Sequence, residues 1–375
     1  QRQMCIRDRD GIYITPRRVG EDGWELSIKA LIDNADCSHK ARFTLIDADG
    51  NEKASTIADL RPIISAKLPV EDPVLWNGRK NPYLYTVRCE IFDSTTEEVT
   101  DNIDIRTGLR EYHIDSHKGF FLNGEHIKLQ GVSRHQDREN MGNAITEKQH
   151  AEDVKIILDV GANSVRLAHY QQNSYFYDLC DESGLLVWAE VPVISRFSPK
   201  RNENAEQQLV ELIKQNYNHP SIFCWGIENE ITIAGSASKK LITFLKHMHK
   251  VARHLDPTRY TTCAQLTMCP VNSPLNHITD IIGYNHYYGW YMGSCDEINN
   301  WLDEWHRENP EGKLCLSEYG AEGITKYHSD SPVQGDYSED YQAIYHEHYI
   351  KSINERDWLW GSYCLLYTSD AADEL

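Results

Sequence analysis

The chain has 375 residues, 40% of them hydrophobic, which is enough to form two globular domains. Its formal net charge of −19 argues against binding to nucleic acid or to an anionic membrane surface, because like charges repel. No run of about 18 apolar residues occurs, so the sequence contains no candidate membrane-spanning helix.

The two ends of the chain differ in character from the rest. Residues 4–9 (MCIRDR) and 366–374 (LYTSDAADE) resemble translated sequencing-adapter read-through at the edges of assembled reading frames. We therefore expect an artefactual leader at residues 1–10 and an artefactual tail at residues 364–375. On this interpretation the chain is an interior piece of a longer protein.

Residues 11–112 are predicted to form an immunoglobulin-like β-sandwich. Short alternating runs of apolar and polar residues, such as 24–30 and 83–91, are typical of strands with one buried face. The turn signals Asp49-Gly50 and Asn77-Gly78 separate such runs. Many short strands broken by turns favour a sandwich of two antiparallel sheets.

Residues 113–363 are predicted to form a (β/α)8 TIM barrel, because short apolar runs alternate there with longer amphipathic stretches. The predicted strands are 127–130, 164–168, 186–191, 222–226, 260–264, 281–284, 314–317 and 360–363. The predicted helices are 147–158, 174–182, 205–216, 238–254, 295–307 and 339–354. Eight strands, most followed by a helix, favour a barrel over an open sheet. Because the last strand runs into the suspected tail, we expect the barrel to be truncated there.

Ten cysteines are spread over the chain without any C-x-x-C pair or the spacing of a small disulfide-bonded domain. This pattern is typical of reduced thiols. It indicates a reducing compartment, and we expect a cytoplasmic protein.

The active site of a TIM barrel lies at the carboxyl ends of its strands, so polar residues directly after each apolar run are the first candidates. Acidic residues follow three predicted strands: Glu190 the third, Glu228 and Glu230 the fourth, and Glu318 the seventh. Other candidates in such positions are His135, Arg166, His169, Asn229 and Tyr287.

Glu230 and Glu318 suit retaining glycoside hydrolysis. That reaction needs one protonated carboxyl and one ionised carboxylate, about 5–5.5 Å apart. Strands four and seven face each other across the mouth of a barrel, which allows this separation. The two groups must also differ in pKa, one raised by burial or a negative neighbour and the other kept ionised by hydrogen-bond donors. Arg166 and Tyr287 are candidate donors for the ionised group.

Several motifs resemble those of glycoside hydrolase family 2. Residues 225–230 (WGIENE) and 317–320 (SEYG) are similar to the acid/base and nucleophile motifs of that family. Residues 73–76 with 81–85 resemble the end of its immunoglobulin-like domain, while 131–135 and 164–170 resemble its first two barrel strands. The resemblance spans residues 11 to 363.

The resemblance implies that Glu230 is the acid/base and Glu318 the nucleophile. Six further residues would surround the sugar: Asn229, His135, His169, Tyr287, Arg166 and Glu190. Asn229 would bind the sugar 2-hydroxyl and Arg166 would pair with the nucleophile, while Glu190 would stand at the rim of the third strand.

The sequence departs from the best-known β-galactosidases of the family in two places. Ile194 and Arg196 stand where those enzymes have the Glu and His ligands of a Mg²⁺ ion, so we infer no such metal site and no cofactor. Ala321 replaces an expected His, so some sugar contacts must differ.

Sugar specificity can be interpreted in two ways. The run 134–138 (RHQDR) resembles bacterial β-galactosidases, and our main hypothesis is a hydrolase of terminal β-D-galactosides or related oligosaccharides. The run 285–291 (NHYYGWY) also resembles β-glucuronidases, which stay an alternative together with other family 2 β-glycosidases. The Asn-x-Lys element that grips a glucuronate carboxylate would lie beyond residue 363.

Two hypotheses from other classes stay open. The chain could be a catalytically silent carbohydrate-binding fragment. Whatever its activity, the full-length parent could form a homo-oligomer. A metal-dependent hydrolase with Glu190, Glu228 and Glu230 as ligands is less favoured, because no His-x-His or His-x-x-x-His spacing accompanies these carboxylates.

Overall fold

The computed structural model describes residues 5–6, 11–20 and 23–365. Within these ranges the chain forms a β-sandwich, a small antiparallel sheet and a closed barrel, in that order. Most of the suspected leader and tail lies outside the described residues. No helix in the described part of the chain is long and apolar enough to cross a bilayer.

The N-terminal domain packs two antiparallel four-stranded sheets against each other. Its strands are β1 (Cys5–Ile6), β2 (Ile12–Val19), β3 (Gly23–Asp33), β4 (His39–Ile46), β5 (Glu52–Asp59), β6 (Ile63–Val70), β7 (Trp76–Asn77), β8 (Asn81–Pro82), β9 (Tyr85–Asp93) and β10 (Val99–Thr107). In one sheet β3 pairs with β1, β2 and β6, and the other has the order β10-β9-β4-β5. A 3₁₀ turn, Gly78–Lys80, links the small β7–β8 pair.

Alternation of buried and exposed residues builds the core of the sandwich. Leu26 and Ile28 on β3 point inward, as do Phe43 and Leu45 on β4. The sandwich contacts the barrel through Asn218, which bonds the backbone of β2 through both its amide oxygen and its amide nitrogen.

A three-stranded antiparallel sheet lies between the two domains in sequence: β11 (Tyr112–Asp115), β12 (Gly119–Leu122) and β13 (Glu125–Ile127). Asn123 and Gly124 join β12 to β13 with φ of 51° and 81°, as a two-residue hairpin turn requires. The predicted start of the first barrel strand at residue 127 is wrong, because Ile127 ends this hairpin and the barrel strand begins at Leu129.

Eight parallel strands close into a barrel in sequence order. They are β14 (Leu129–Arg134), β15 (Ser164–Leu167), β16 (Leu186–Glu190), β17 (Ile222–Asn229), β18 (Tyr260–Leu266), β19 (Ile281–Asn285), β20 (Leu314–Tyr319) and β21 (Gly361–Cys364). The sequence predicted truncation at the last strand, but β21 pairs with both β14 and β20 and completes the ring. Cys364, assigned from the sequence to the tail, is part of this strand.

In the described part of the chain, six α-helices surround the barrel: α1 (Glu147–Asp159), α2 (Ser174–Ser183), α3 (Asn202–Asn216), α4 (Lys239–Leu255), α5 (Glu297–Glu308) and α6 (Glu339–Asn354). Short 3₁₀ turns occur at Pro199–Arg201 and Pro274–His277. Side-chain caps start several helices; the hydroxyls of Ser238 and Ser338 accept from the amides of Leu241 and Tyr341. The buried faces of the helices cover the strands and leave the carboxyl ends of the strands free to carry polar groups.

Candidate active site

The polar residues selected from the sequence lie at the carboxyl ends of the barrel strands. Glu190 is the last residue of β16, Asn229 the last of β17, and Glu318 lies one residue before the end of β20. Hydrogen bonds and ring contacts connect all eight predicted site residues into one network, described below.

Arg166 is the centre of this network. Its side chain is completely buried and donates from Nε to Glu190 Oε1 at 2.6 Å, from Nη1 to Glu318 Oε1 at 2.6 Å and from Nη2 to Asn229 Oδ1 at 2.8 Å. Burial alone would lower the pKa of Arg166, but the two carboxylates outweigh burial and raise it. The guanidinium therefore stays charged and fixes three neighbours at once.

Both carboxylate oxygens of Glu318 accept strong hydrogen bonds. Arg166 occupies Oε1, and the hydroxyl of Tyr287 donates to Oε2 at 2.7 Å. His169 approaches the same side, with Nε2 3.8 Å from Oε1. This arrangement orients Glu318 and suits a carboxylate that attacks an electrophile.

Glu230 has a different environment from Glu318. Its Oε1 accepts one hydrogen bond, from Asn285 Nδ2 at 3.0 Å. Burial and the negative charge of Glu318 raise the pKa of Glu230 above its ordinary value, and Asn285 opposes the shift only in part. Glu230 is therefore the carboxyl of the pair better suited to hold a proton.

Asn285 bonds Glu230 and connects the strands that carry the two carboxyl groups, although no role was predicted for it from the sequence. Its amide nitrogen also donates to Asn229 Oδ1 at 3.2 Å, and its Oδ1 accepts from Ser317 Oγ at 2.7 Å. Ser317 directly precedes Glu318, so this completely buried Asn ties β17 to β20. Its place at the end of β19 was the available signal. The carboxyl separation of about 5 Å stays a prediction.

Glu190 and the two histidines complete the network. Glu190 is buried rather than exposed at the rim; burial would raise its pKa, but Arg166 and His169 outweigh burial and lower it. His169 Nδ1 lies 2.9 Å from Glu190 Oε2. The ring of His135 lies edge-on to His169, with centroids 5.3 Å apart, at the exposed side of the site.

The geometry does not favour a metal site built from Glu190, Glu228 and Glu230. Glu190 is paired with Arg166, whose positive charge would repel a cation, and Glu228 is bonded to Gln265 and to the amide of Ile231. Within the described residues, the one group of three side chains with metal-ligand spacing comprises Asp178, Asp181 and His219. None of these belongs to the network.

Two family models match the chain. Residues 114–374 match "Glycosyl hydrolases family 2, TIM barrel domain", and residues 6–110 match "Glycosyl hydrolases family 2". The two matches together cover both described domains.

Three similar proteins illustrate the range of names in this group. A Bacteroides fragilis β-glucuronidase is 36% identical over 96% of this chain and 54% of its own length. The crystal structure of an FMN-binding β-glucuronidase from Facaelibacterium prausnitzii L2-6 is 42% identical, with a TM-score of 0.91 over 95% of this chain and 55% of that one. A β-galactosidase from Thermoanaerobacter pseudethanolicus is 30% identical over 67% of this chain and 33% of its own length. The chain thus spans about half the length of the first two proteins.

Proposed function

The chain belongs to glycosyl hydrolase family 2, and we propose that it is the catalytic part of a retaining β-glycosidase whose substrates are β-D-glucuronides. The observation that carries this proposal is the asymmetry of the carboxyl pair. Glu318 is held by Arg166 and Tyr287, whereas Glu230 has a raised pKa and one amide donor. Two carboxyl groups with opposite protonation are what retaining hydrolysis requires.

In the first step Glu318 attacks the anomeric carbon and forms an ester to the sugar. The glycosidic bond breaks, and Glu230 gives its proton to the departing oxygen. In the second step Glu230 takes a proton from a water molecule, whose oxygen bonds to the anomeric carbon. The ester bond breaks and returns Glu318 as a carboxylate, so the sugar leaves with its original configuration.

The surrounding residues have roles that follow from their contacts. Arg166 and Tyr287 orient Glu318 and spread its charge, and Glu190 with His169 keeps the guanidinium of Arg166 in place. Asn229, held by Arg166 and Asn285, presents its amide for the sugar 2-hydroxyl. His135 lies at the open side, where a sugar would enter.

The choice of sugar rests on the relatives. The motifs in the sequence predict β-galactosides as the main substrates, but the more similar relatives are named β-glucuronidases, which supports the alternative prediction of a β-glucuronidase. The Thermoanaerobacter relative keeps β-galactosidase as the second candidate.

A panel of 4-nitrophenyl β-glycosides tests the proposal with the 375-residue chain. We expect hydrolysis of the glucuronide with a higher kcat/KM than the galactoside, and loss of turnover in Glu318→Gln. A preference for the galactoside would select the second candidate. Sugar binding without turnover of any glycoside would instead support the silent carbohydrate-binding fragment and refute the proposed activity.

A further inference from the structure

Strand β17, which ends directly before Glu230, contains an irregularity in its last residues. Along β17 the residues from Gly226 to Asn229 face only Thr262 to Ala264 on β18, so β17 has one extra residue within this stretch. Such a bulge re-aims the side chains that follow it. Beyond it, Glu230 adopts a left-handed backbone conformation with φ of 48°, which is uncommon for a residue with a side chain.

Glu228 lies in the bulge, and its carboxyl is completely enclosed. Oε2 accepts from the amide of Ile231 at 3.1 Å, and Oε1 accepts from Gln265 Nε2 at 2.7 Å. The first bond spans Glu230, because the side chain of Glu228, two residues earlier, accepts from the amide of Ile231, the next residue. The second bond anchors that side chain to β18.

The protonation state of Glu228 suits this position. Burial raises the pKa of Glu228 to about 8, and the neighbouring Glu190 and Glu230 add to the shift, although the Ile231 amide and the Cys263 thiol oppose it. At neutral pH the group is therefore mostly uncharged. It can hold the Ile231 amide without placing another full negative charge beside Glu230.

The mechanism above does not use Glu228. Its hydrogen bonds go to Gln265 and Ile231, not to Glu318, Arg166 or Asn229. We propose that Glu228 is a positioning residue for Glu230: by binding the Ile231 amide it fixes the left-handed turn from which Glu230 reaches the leaving oxygen. This inference rests on the proposed glycosidase activity.

The test compares two substrates that depend differently on Glu230. A 2,4-dinitrophenyl β-glycoside needs no protonation of its leaving group, whereas a phenyl β-glycoside of the same sugar does. The value of kcat/KM reports the step in which Glu230 acts as the acid. Loss of a residue that positions Glu230 must lower kcat/KM mainly for the phenyl substrate. Loss of a residue that only supports the fold would lower kcat/KM for both substrates alike.

Glu228→Leu removes the acceptor for the buried Ile231 amide. We expect kcat/KM for the phenyl substrate to fall about 10-fold to 100-fold, the range for a lost buried hydrogen bond, and to fall less than about threefold for the dinitrophenyl substrate. Glu228→Met, which is close to glutamate in length but has no carboxyl oxygen, should give the same selectivity in a variant that keeps most of the buried volume. Glu228→Gln retains an acceptor oxygen and should stay within about threefold of the parent on both substrates.

Tyr287→Phe is the matched control, because the Tyr287 hydroxyl donates to the nucleophile Glu318; the substitution should lower kcat/KM for both substrates by a similar factor. Equal losses on both substrates in Glu228→Leu and Glu228→Met, or no loss in either, would overturn the positioning role while leaving the glycosidase intact. A parent chain inactive on every glycoside overturns the proposed function, and this inference with it.

Discussion

Replacing Arg166 by Met should destabilise the barrel strongly and in a pH-dependent way. The Arg166 side chain is 0% exposed, and its partners Glu190 and Glu318 are 2% and 7% exposed. Methionine fills much of the volume but leaves both carboxylates without their shared cation. Removing one partner of a buried ion pair costs about 3–5 kcal/mol, so we expect a loss in that range at pH 7.5.

The pH dependence follows from the pKa of Glu190. In the parent, Arg166 and His169 overcome burial and lower this pKa, so the carboxylate contributes stability above its unfolded pKa of about 4.3 and loses that contribution as the pH falls through the lower folded value. Without Arg166, burial would raise the pKa, and the ionised carboxylate would destabilise the variant at high pH. The difference between parent and variant should therefore shrink as the pH is lowered from 7.5 towards 5.

Urea unfolding followed by tryptophan fluorescence measures this difference, since Trp188 and Trp360 are buried in the barrel. Arg88→Met is the matched control: Arg88 forms an exposed pair with Asp104 and should cost less than about 1 kcal/mol at either pH. A loss below about 1 kcal/mol in Arg166→Met, or an equal loss at pH 5 and pH 7.5, would refute the reasoning.

Three further predictions concern the site. Tyr287→Phe removes the hydroxyl 2.7 Å from Glu318 Oε2, and kcat/KM should fall roughly 10-fold to 100-fold; an unchanged value would remove Tyr287 from the mechanism. In Glu230→Ala, added azide should restore turnover and yield the β-glycosyl azide, whereas Glu318→Ala should yield the α-azide; NMR of the products decides, and identical stereochemistry would contradict the two roles. Gly226→Ala places a methyl group 2.5 Å from Trp188 Nε1 and 2.6 Å from Glu190 Cγ, so the midpoint of urea unfolding should drop by an amount equivalent to about 1–3 kcal/mol; an unchanged midpoint would contradict tight packing around Gly226.

Local sequence patterns were sufficient to predict the helices of the barrel. All six predicted helices occur, with ends within three residues of the prediction, because each has an apolar face with helical spacing. On α4, for example, Leu241, Phe244, Leu245 and Met248 are the buried face. The acidic residues at the strand ends were predictable for the same reason, since their positions follow from where each apolar run stops.

Features that depend on contacts between distant residues could not be predicted in this way. Arg166 and Glu318 are 152 positions apart, and nothing in either local sequence specifies that Arg166 also holds Glu190 and Asn229. The position of Asn285 between two strands was missed for this reason. The β12–β13 hairpin was missed for another reason: the two strands that its Asn123-Gly124 turn joins have only four and three residues, too few to show a clear alternation.

The shared guanidinium has a consequence for the second half of the proposed catalytic cycle. Before reaction, the carboxylates of Glu190 and Glu318 face one Arg166 cation; once Glu318 is esterified, Glu190 alone balances it. The cation is thus never left unpaired in the buried site, and the covalent intermediate avoids the cost of an isolated charge. Esterification also removes the negative charge that helps to raise the pKa of Glu230. The pKa of Glu230 therefore falls, and the group stays a carboxylate that accepts the proton of water. Attachment of the sugar thus converts the proton donor of the first step into the proton acceptor of the second.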